Sequence, residues 1–293
     1  MNPSFIKKNI FMLKCIKCNS DLELKNNSII CKTCGEVYKI KQGIPILLPR
    51  SIPREKNREI ELFLRIIKII LKKNNISKIT EKEILKYPTS LNFKHNFLPF
   101  IKKKTKILEI GCGALAVSRI CHDNETFFTD LSWDLLKYAN VDNCFCCDIN
   151  NLPFKDEVFD CVIGSAVLHH LIDINQGLSE IRRVLKNSGF YLGMNEPIAN
   201  PAILPFYKFF NPYCKIAIDR GSIENIYTLQ EMTQFFKKAE FDINIKLCKN
   251  PLYQLLSVFP MRLFHILIRF LPDFLVKSIG GNINIYAKKD KSA

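Results

Sequence analysis

The chain has 293 residues, of which 47% are hydrophobic, and it carries a formal net charge of +15. This length accommodates one full α/β domain and a small additional module, and it excludes a small secreted scaffold held together by disulfides. No run of 18 apolar residues occurs, so no membrane-spanning helix is expected. The positive charge fits nucleic acid, an anionic membrane surface or an acidic substrate. The lysines are scattered, however, as a compositional bias of the genome would also produce.

The cysteine content indicates a reducing compartment. The chain contains 12 cysteines, and residues 1–14 contain neither an uninterrupted apolar stretch nor a small-residue cleavage site. We therefore expect no signal peptide and a cytoplasmic location. Cysteines there are free, metal-bound or catalytic rather than paired in disulfides.

Two CxxC pairs near the N-terminus predict a metal site. They are separated by twelve residues and consist of Cys15, Cys18, Cys31 and Cys34. The intervening segment predicts two short strands around an Asn26-Asn27 turn, which would bring both pairs to one ion. Four thiolates fill a tetrahedral zinc shell, so we predict a closed, structural Zn²⁺ site in a zinc ribbon spanning residues 1–50. The alternative is four unrelated thiols.

A basic segment assigned as a helical connector spans residues 51–100. Apolar residues at helical spacing predict an amphipathic helix over 59–73. Pro88 and Pro99 interrupt the pattern that follows.

Strands and helices alternate from residue 106 onwards. Short apolar runs predict strands at 106–110, 126–130, 144–148, 159–165, 189–196, 241–248 and 282–289. A helix ending in a glycine cap is expected at 178–189. This alternation indicates an α/β domain over residues 101–293, with a Rossmann-like, seven-stranded, mostly parallel sheet and helices on both faces.

Two glycines after a strand are weak evidence for a ligand-binding turn, and three carboxylates at predicted strand ends strengthen that evidence. Gly111 and Gly113 follow the first strand of this domain, where glycines let the backbone turn sharply and approach a ligand. Glu109 beside them suits a ligand with a positive amino group. Asp130 ends the next strand, the place for a carboxylate that binds ribose hydroxyls, and Asp148 can accept from an exocyclic amine.

Four segments in this order resemble the small-molecule type of class I S-adenosylmethionine-dependent methyltransferases. They are KILEIGCG, FTDLS, CDINNLPFKDEVFDCVIGSAVLHHL and EIRRVLKNSGFYLGMNEP, and the resemblance covers about residues 104–197. It implies S-adenosylmethionine as the cofactor. The residues that it assigns to cofactor binding are Glu109, Gly111 and Gly113 at the methionine end, Asp130 and Leu131 at the ribose, Asp148 and Ile149 at the adenine, and Ser165 near the donated methyl group.

Candidate catalytic residues follow the fourth strand. Methyl transfer depends mostly on positioning, and a base helps only when the acceptor atom carries a proton. His169 and His170 are the candidate bases, and Glu196 is a carboxylate that would lie at the edge of the pocket. The alternative for each is a local packing or capping role. A cluster of other cysteines, Cys112, Cys144, Cys146 and Cys147, is interpreted as small buried hydrophobic residues.

The C-terminal third contains two segments that do not follow the alternation of strands and helices. Residues 197–226 are rich in proline and aromatic residues, and we interpret them as a substrate lid. Thr228 and Glu231 form a capping-box pattern that predicts the next helix. Residues 251–280 are an apolar insertion that would either lie on the inner membrane surface as a peripheral contact or pack as a helical pair on the lid or a partner.

These features leave several functions in competition. The leading hypothesis is methyl transfer to a small-molecule, glycan or lipid-linked acceptor. The second is an rRNA or tRNA base methyltransferase, because the zinc ribbon with the sequence at 43–49 resembles the N-terminal finger of rRNA guanine methyltransferases. The complete set of cofactor residues argues against a third hypothesis, a non-enzymatic scaffold. An NAD-dependent oxidoreductase is opposed by the missing third glycine.

Overall fold

A computed structural model describes residues 3–200, 225–248 and 280–290. The helices are α1 (Pro3–Asn9), α2 (Arg54–Lys73), α3 (Glu81–Ile84), α4 (Pro88–Asn96), α5 (Trp133–Ala139), α6 (Ile174–Val184) and α7 (Leu229–Lys238). The strands are β1 (Leu22–Lys25), β2 (Ser28–Cys31), β3 (Val37–Lys41), β4 (Ile44–Leu47), β5 (Lys106–Ile110), β6 (Glu125–Asp130), β7 (Cys144–Cys147), β8 (Phe159–Ser165), β9 (Leu185–Ala199), β10 (Phe241–Leu247) and β11 (Gly280–Lys289).

The centre of the molecule is the predicted α/β sheet. Strands β7, β6, β5, β8 and β9 lie side by side and are parallel, and β11 and β10 follow as antiparallel neighbours. The Rossmann-like class is therefore confirmed. Because parallel strands end at the same edge, the turns after β5, β6, β7 and β8 meet on one side of the sheet.

The main domain contributes seven strands, β5 to β11, to the described sheet, but the sheet extends beyond them. Within the described residues, eleven strands form one sheet, in which β1 to β4 continue the central strands. The join is a parallel pairing of Ile46 and Leu47 with Cys146 and Cys147. Leu47 is fully buried, so this pairing also extends the hydrophobic core from the domain into the N-terminal strands. The residue limits proposed for ribbon, connector and main domain remain predictions.

The N-terminal hairpin forms as predicted. Strand β1 pairs antiparallel with β2 in a register that places Lys25 opposite Ser28. The turn residues Asn26 and Asn27 have φ angles of 49° and 57°. Two successive left-handed residues make the turn type that matches the twist of a two-residue hairpin, and asparagine tolerates that conformation.

The connector contains the predicted helix in a longer form. Helix α2 begins at Arg54 and ends at Lys73. Its buried residues Ile67 and Leu71 pack in one cluster with Ala114 and Leu135 of the main domain. The two prolines mark boundaries, since Pro88 is the first residue of α4 and Pro99 lies in a short 3₁₀ turn.

The glycine cap predicted at the end of the sixth helix is wrong. Helix α6 ends at Val184, and Leu185 is already extended as the first residue of β9. Leu185 is fully buried and pairs with Phe159 of β8, so the core takes this residue into the sheet. Gly189 consequently lies inside a strand. The capping box of Thr228 and Glu231 at the start of α7 is confirmed.

Parts of two predicted segments lie outside the described residues. Of the proposed lid at 197–226, the structure describes residues 197–200 and 225–226, and of the apolar insertion at 251–280 it describes residue 280. In the described part of the chain, no helix combines the length and apolar character needed to cross a membrane.

Candidate active site

A crevice of about 320 Å³ lies at the carboxyl ends of β5 to β8. Every residue assigned to the cofactor from the sequence lines it, namely Glu109, Gly111, Gly113, Asp130, Leu131, Asp148, Ile149 and Ser165. His170 lines it as well. The wall opposite the strand ends is formed by α2, which contributes Lys56, Glu59, Ile60 and Phe63. The volume falls within the usual range of small-ligand sites.

Glu109 holds the turn beneath the glycines. Its buried carboxylate accepts hydrogen bonds from the Val117 amide at 2.9 Å and from the Ser118 amide at 2.8 Å, and it contacts the Ser118 hydroxyl. Burial raises the pKa of this carboxyl. A carboxylate offers about four acceptor positions. One therefore remains for a ligand ammonium group after these three contacts.

The two glycines of the turn are needed for different reasons. Gly111 and Gly113 have φ angles of 56° and 54°, a conformation that side chains disfavour. A Cβ atom on Gly111 would lie 2.3 Å from Cγ2 of Val167, whereas one on Gly113 would have nothing within 4 Å. Gly111 thus permits close packing, and Gly113 permits the turn while leaving space in the crevice.

Asp130 connects the end of β6 to the glycine turn. Its two oxygens accept hydrogen bonds from the Gly113 amide and the Ser132 amide, each at 2.8 Å. Burial raises the pKa of Asp130 to about 6, against the lowering effect of these two hydrogen bonds. The carboxylate is fixed at the crevice, where its remaining lone pairs suit the hydroxyls of a ribose.

Asp148 forms an ion pair that the sequence did not indicate. Its Oδ2 contacts the ammonium group of Lys56, which is buried, and its Oδ1 accepts from the Asn150 amide at 3.0 Å. The carboxylate keeps acceptor positions for an exocyclic amine. The pair attaches α2 to the carboxyl end of β7.

The two candidate bases have different surroundings. Nδ1 of His169 lies 2.9 Å from Oε2 of Glu196, whose other oxygen accepts from the amides of Val167 and Leu168. Nδ1 of His170 lies 3.2 Å from Oε1 of Glu59 on α2, and its ring meets Phe63 edge-on. His169 and Glu196 are buried behind the crevice, whereas His170 and Glu59 line it.

The residues of α2 were missed from the sequence, although a signal was present. Lys56, Glu59, Ile60, Phe63 and Ile67 line the crevice. Their spacing of three and four residues places them on one helix face. Two charged residues at the end of an apolar stripe are the feature that distinguishes this face from ordinary core packing.

The four N-terminal cysteines form a compact cluster. Their Sγ atoms all lie within 4.8 Å of one another, with Cys15 and Cys34 at 3.7 Å and Cys18 and Cys31 at 3.4 Å. A tetrahedron of thiolates around zinc has edges of roughly 3.8 Å. The amides of Lys17 and Cys34 point at the sulfurs of Cys15 and Cys31, each at 3.4 Å. The geometry fits a four-thiolate metal site.

The remaining cysteines of the predicted apolar cluster are buried. They are Cys112, Cys144, Cys146 and Cys147. Burial raises the pKa of Cys112 and Cys147 well above the usual value, which keeps both thiols protonated. Among the described residues, the N-terminal cysteines are the one group with metal-ligand geometry.

Residues 108–193 match the sequence model of the family described as "Methyltransferase domain". A probable tRNA methyltransferase 9B from Homo sapiens is 33% identical over 98 residues, which are 32% of this chain and 22% of that protein. A ubiquinone/menaquinone biosynthesis C-methyltransferase from Desulfotalea psychrophila is 30% identical over 115 residues, which are 34% of this chain and 47% of that protein. The chain thus matches less than half the length of either relative.

The fold has a counterpart among solved structures. Geranyl diphosphate C-methyltransferase from Streptomyces coelicolor superposes with a TM-score of 0.50 and 16% sequence identity, covering 64% of this chain and 70% of that one. This similarity concerns the fold alone. Residues 108–193 are thus similar in sequence to methyltransferase domains, and the described sheet shares the fold of a solved methyltransferase.

Proposed function

We propose that the protein transfers the methyl group of S-adenosylmethionine to a small-molecule, glycan or lipid-linked acceptor. One observation carries this proposal. The eight residues assigned to the cofactor from the sequence surround a single crevice in a methyltransferase domain. The strand ends meet in any sheet of this kind, so the support comes from the chemistry of the residues there, since each turn supplies a group suited to one part of the cofactor.

The polar groups of the crevice match the parts of the cofactor. The acceptor position left on Glu109 suits the ammonium group of the methionine end, and Gly113 leaves room beside it. Asp130 suits the ribose hydroxyls and Asp148 the adenine amine. When bound, the cofactor supplies an electrophilic methyl group on a positive sulfur. Ser165 and His170 lie on the wall where we expect that group.

The covering by α2 supports a small acceptor. Ile60 and Phe63 present apolar surface to the crevice from the side opposite the strand ends. An apolar wall beside the reacting atoms suits a small organic group better than a folded macromolecule. The C-methyltransferase relative, named for quinone biosynthesis, agrees with this class of acceptor.

We propose that the cysteine cluster holds one structural Zn²⁺. All four positions would be occupied by protein thiolates, so the ion would have no open position for catalysis. Its role would be to order strands β1 to β4, each of which is only four or five residues long.

The test uses the purified full chain with methyl-labelled S-adenosylmethionine. Calorimetry measures cofactor binding, and incubation with lysate of the source cells is followed by separation into lipid, small-molecule, protein and nucleic-acid fractions. We expect binding, and label in the lipid or small-molecule fraction. Asp130→Asn should weaken binding roughly tenfold to a hundredfold because it removes a charged acceptor, whereas the exposed Asp134→Asn should not. Absence of binding in the unaltered chain would refute the proposal.

A second candidate function is methylation of tRNA or rRNA. It is favoured by the tRNA methyltransferase relative and by the net charge of +15. In that case the label would appear in the nucleic-acid fraction. RNA binding should then weaken steeply with added salt, since each phosphate contact releases counterions. Indifference to RNA at low salt would eliminate this candidate.

A further inference from the structure

Two histidines and two carboxylates form a continuous line from the core to the crevice. Glu196 contacts His169 at 2.9 Å, the rings of His169 and His170 lie 3.9 Å apart between centroids, and His170 lies 3.2 Å from Glu59. The line joins the end of β9 to helix α2. It thus connects the methyltransferase domain to the segment that precedes it in the chain.

The two halves of this line differ in exposure and in bonding. Glu196 is fully buried, and its oxygens already accept from His169 and from two backbone amides. That half fixes the loop after β8 and has the character of a structural anchor. Glu59 and His170 instead line the crevice, and so does Ser165, near which we expect the donated methyl group.

We propose that His170 is the general base of the transfer reaction, that Glu59 is the residue that positions it, and that the acceptor is a hydroxyl group. This inference rests on the proposed function. A carboxylate near Nδ1 favours the tautomer with the proton on that nitrogen, which leaves the lone pair on Nε2. A base serves this reaction only if the acceptor atom carries a proton, as a hydroxyl oxygen does at neutral pH.

The step balances with these two residues. The hydroxyl oxygen forms a bond to the methyl carbon as the bond between that carbon and the sulfonium sulfur breaks, and the electron pair of the broken bond stays on sulfur. The hydroxyl proton passes to Nε2 of His170. The resulting imidazolium is stabilised by the Glu59 carboxylate, which lies 3.2 Å from Nδ1.

The electrostatic surroundings of His170 involve several elements. The charged groups that line the crevice are Lys56 and Glu59 from α2 and Glu109, Asp130 and Asp148 from the strand ends. Lys56 is paired with Asp148, and Glu59 is the carboxylate that contacts His170 among the described residues. Removing its charge should lower the pKa of His170, because the imidazolium form loses a neighbouring carboxylate.

The first experiment is an NMR titration of the histidine rings in the full chain. The chain contains five histidines, and spectra of His169→Asn and His170→Asn assign the two signals of interest. Glu59→Gln should lower the pKa of His170. Its matched control is Glu61→Gln, an exposed carboxylate two positions along the same helix, which should leave that pKa unchanged. Equal pKa values of His170 in both variants would overturn the positioning role.

The second experiment measures label transfer and cofactor binding in the same variants. His170→Asn should reduce transfer about a hundredfold, the usual contribution of a general base, and Glu59→Gln at least tenfold. Both should keep the cofactor affinity within about twofold, and Glu59→Asp should restore part of the rate because it restores the charge. Unchanged transfer in His170→Asn would overturn the base. Transfer that falls equally in Glu61→Gln would indicate a general effect on α2.

The two proposals fail in distinguishable ways. If the unaltered chain binds no S-adenosylmethionine, the proposed function is wrong, while the titration still decides whether Glu59 controls His170. If the chain transfers label to a nitrogen or carbon atom, methyl transfer stands and the hydroxyl acceptor is wrong.

Discussion

The crevice and the cysteine cluster are two sites in one sheet that are stabilised in different ways. At the crevice, the carboxylates of Glu109 and Asp130 are fixed by backbone amides, and the surrounding strands are buried in the large core. At the cluster, Cys15 and Cys18 precede β1, Cys31 ends β2 and Cys34 follows it, and two of these four cysteines are partly or fully exposed. The crevice should therefore persist without a ligand, whereas the order of β1 to β4 should depend on a metal.

The largest expected effect is the loss of the metal. Cys31→Ser should remove bound zinc and open strands β1 to β4, because a structural zinc site contributes on the order of 10 kcal/mol to folding at neutral pH. Elemental analysis measures the zinc, and amide hydrogen exchange measures protection strand by strand. We expect exchange to rise in β1 to β4 and to stay slow in β5 to β8.

The control for the loss of a thiol is Cys161→Ser, since Cys161 is fully buried in β8 and far from the cluster in sequence. It should keep one zinc per chain. The claim that β1 to β4 depend on a metal would be wrong if Cys31→Ser retained zinc, or if a chelator left hydrogen exchange in these strands unchanged. The pairing of β4 with β7 would then suffice to hold the ribbon.

A smaller effect is expected for the two glycines of the crevice, whose replacement by alanine should lower the free energy of unfolding by different amounts. Gly111→Ala and Gly113→Ala both place a side chain in the left-handed region, at a cost of about 1–2 kcal/mol each. Gly111→Ala additionally forces a methyl group against Val167, which should add about 1–3 kcal/mol. Urea denaturation measures the difference in the free energy of unfolding. Equal losses in both variants would mean that Val167 moves aside without cost.

The sequence predicted the crevice better than it predicted what covers it. Strands 106–110 and 159–165 were located to the residue because each is a short, mostly apolar run. The ligand-facing residues follow directly from the ends of such strands. Residues whose position depends on packing between distant segments were missed, as Lys56 and Glu59 show.

The other errors have a similar origin. The pairing of β4 with β7 joins residues about 100 positions apart, and nothing in the four-residue strand indicates its partner. The end of α6 was misplaced because the burial of Leu185 in the sheet outweighs the local glycine signal. Local patterns therefore described the elements, and long-range burial decided their limits and neighbours.

The smallest expected effect concerns pH and belongs to the crevice alone. Burial raises the pKa of Asp130 to about 6, so the folded protein holds this proton more tightly than the unfolded chain does. The contribution of Asp130 to stability is therefore present at low pH and is lost as the pH rises towards 6. Cofactor binding should respond in the opposite direction, because ribose hydroxyls donate to the ionised carboxylate. Between pH 5 and pH 7 the dissociation constant for S-adenosylmethionine should fall about tenfold, the change expected for one proton.

Calorimetry across this pH range, repeated with Asp130→Asn, measures the effect. The variant should bind weakly, with little change between pH 5 and pH 7, because its amide does not titrate. Glu109 is the rival source of such a dependence, since burial raises its pKa as well. A pH slope that survives in Asp130→Asn would assign the titration to Glu109. The methionine end of the cofactor, rather than its ribose, would then be the part that senses the protonation of the crevice.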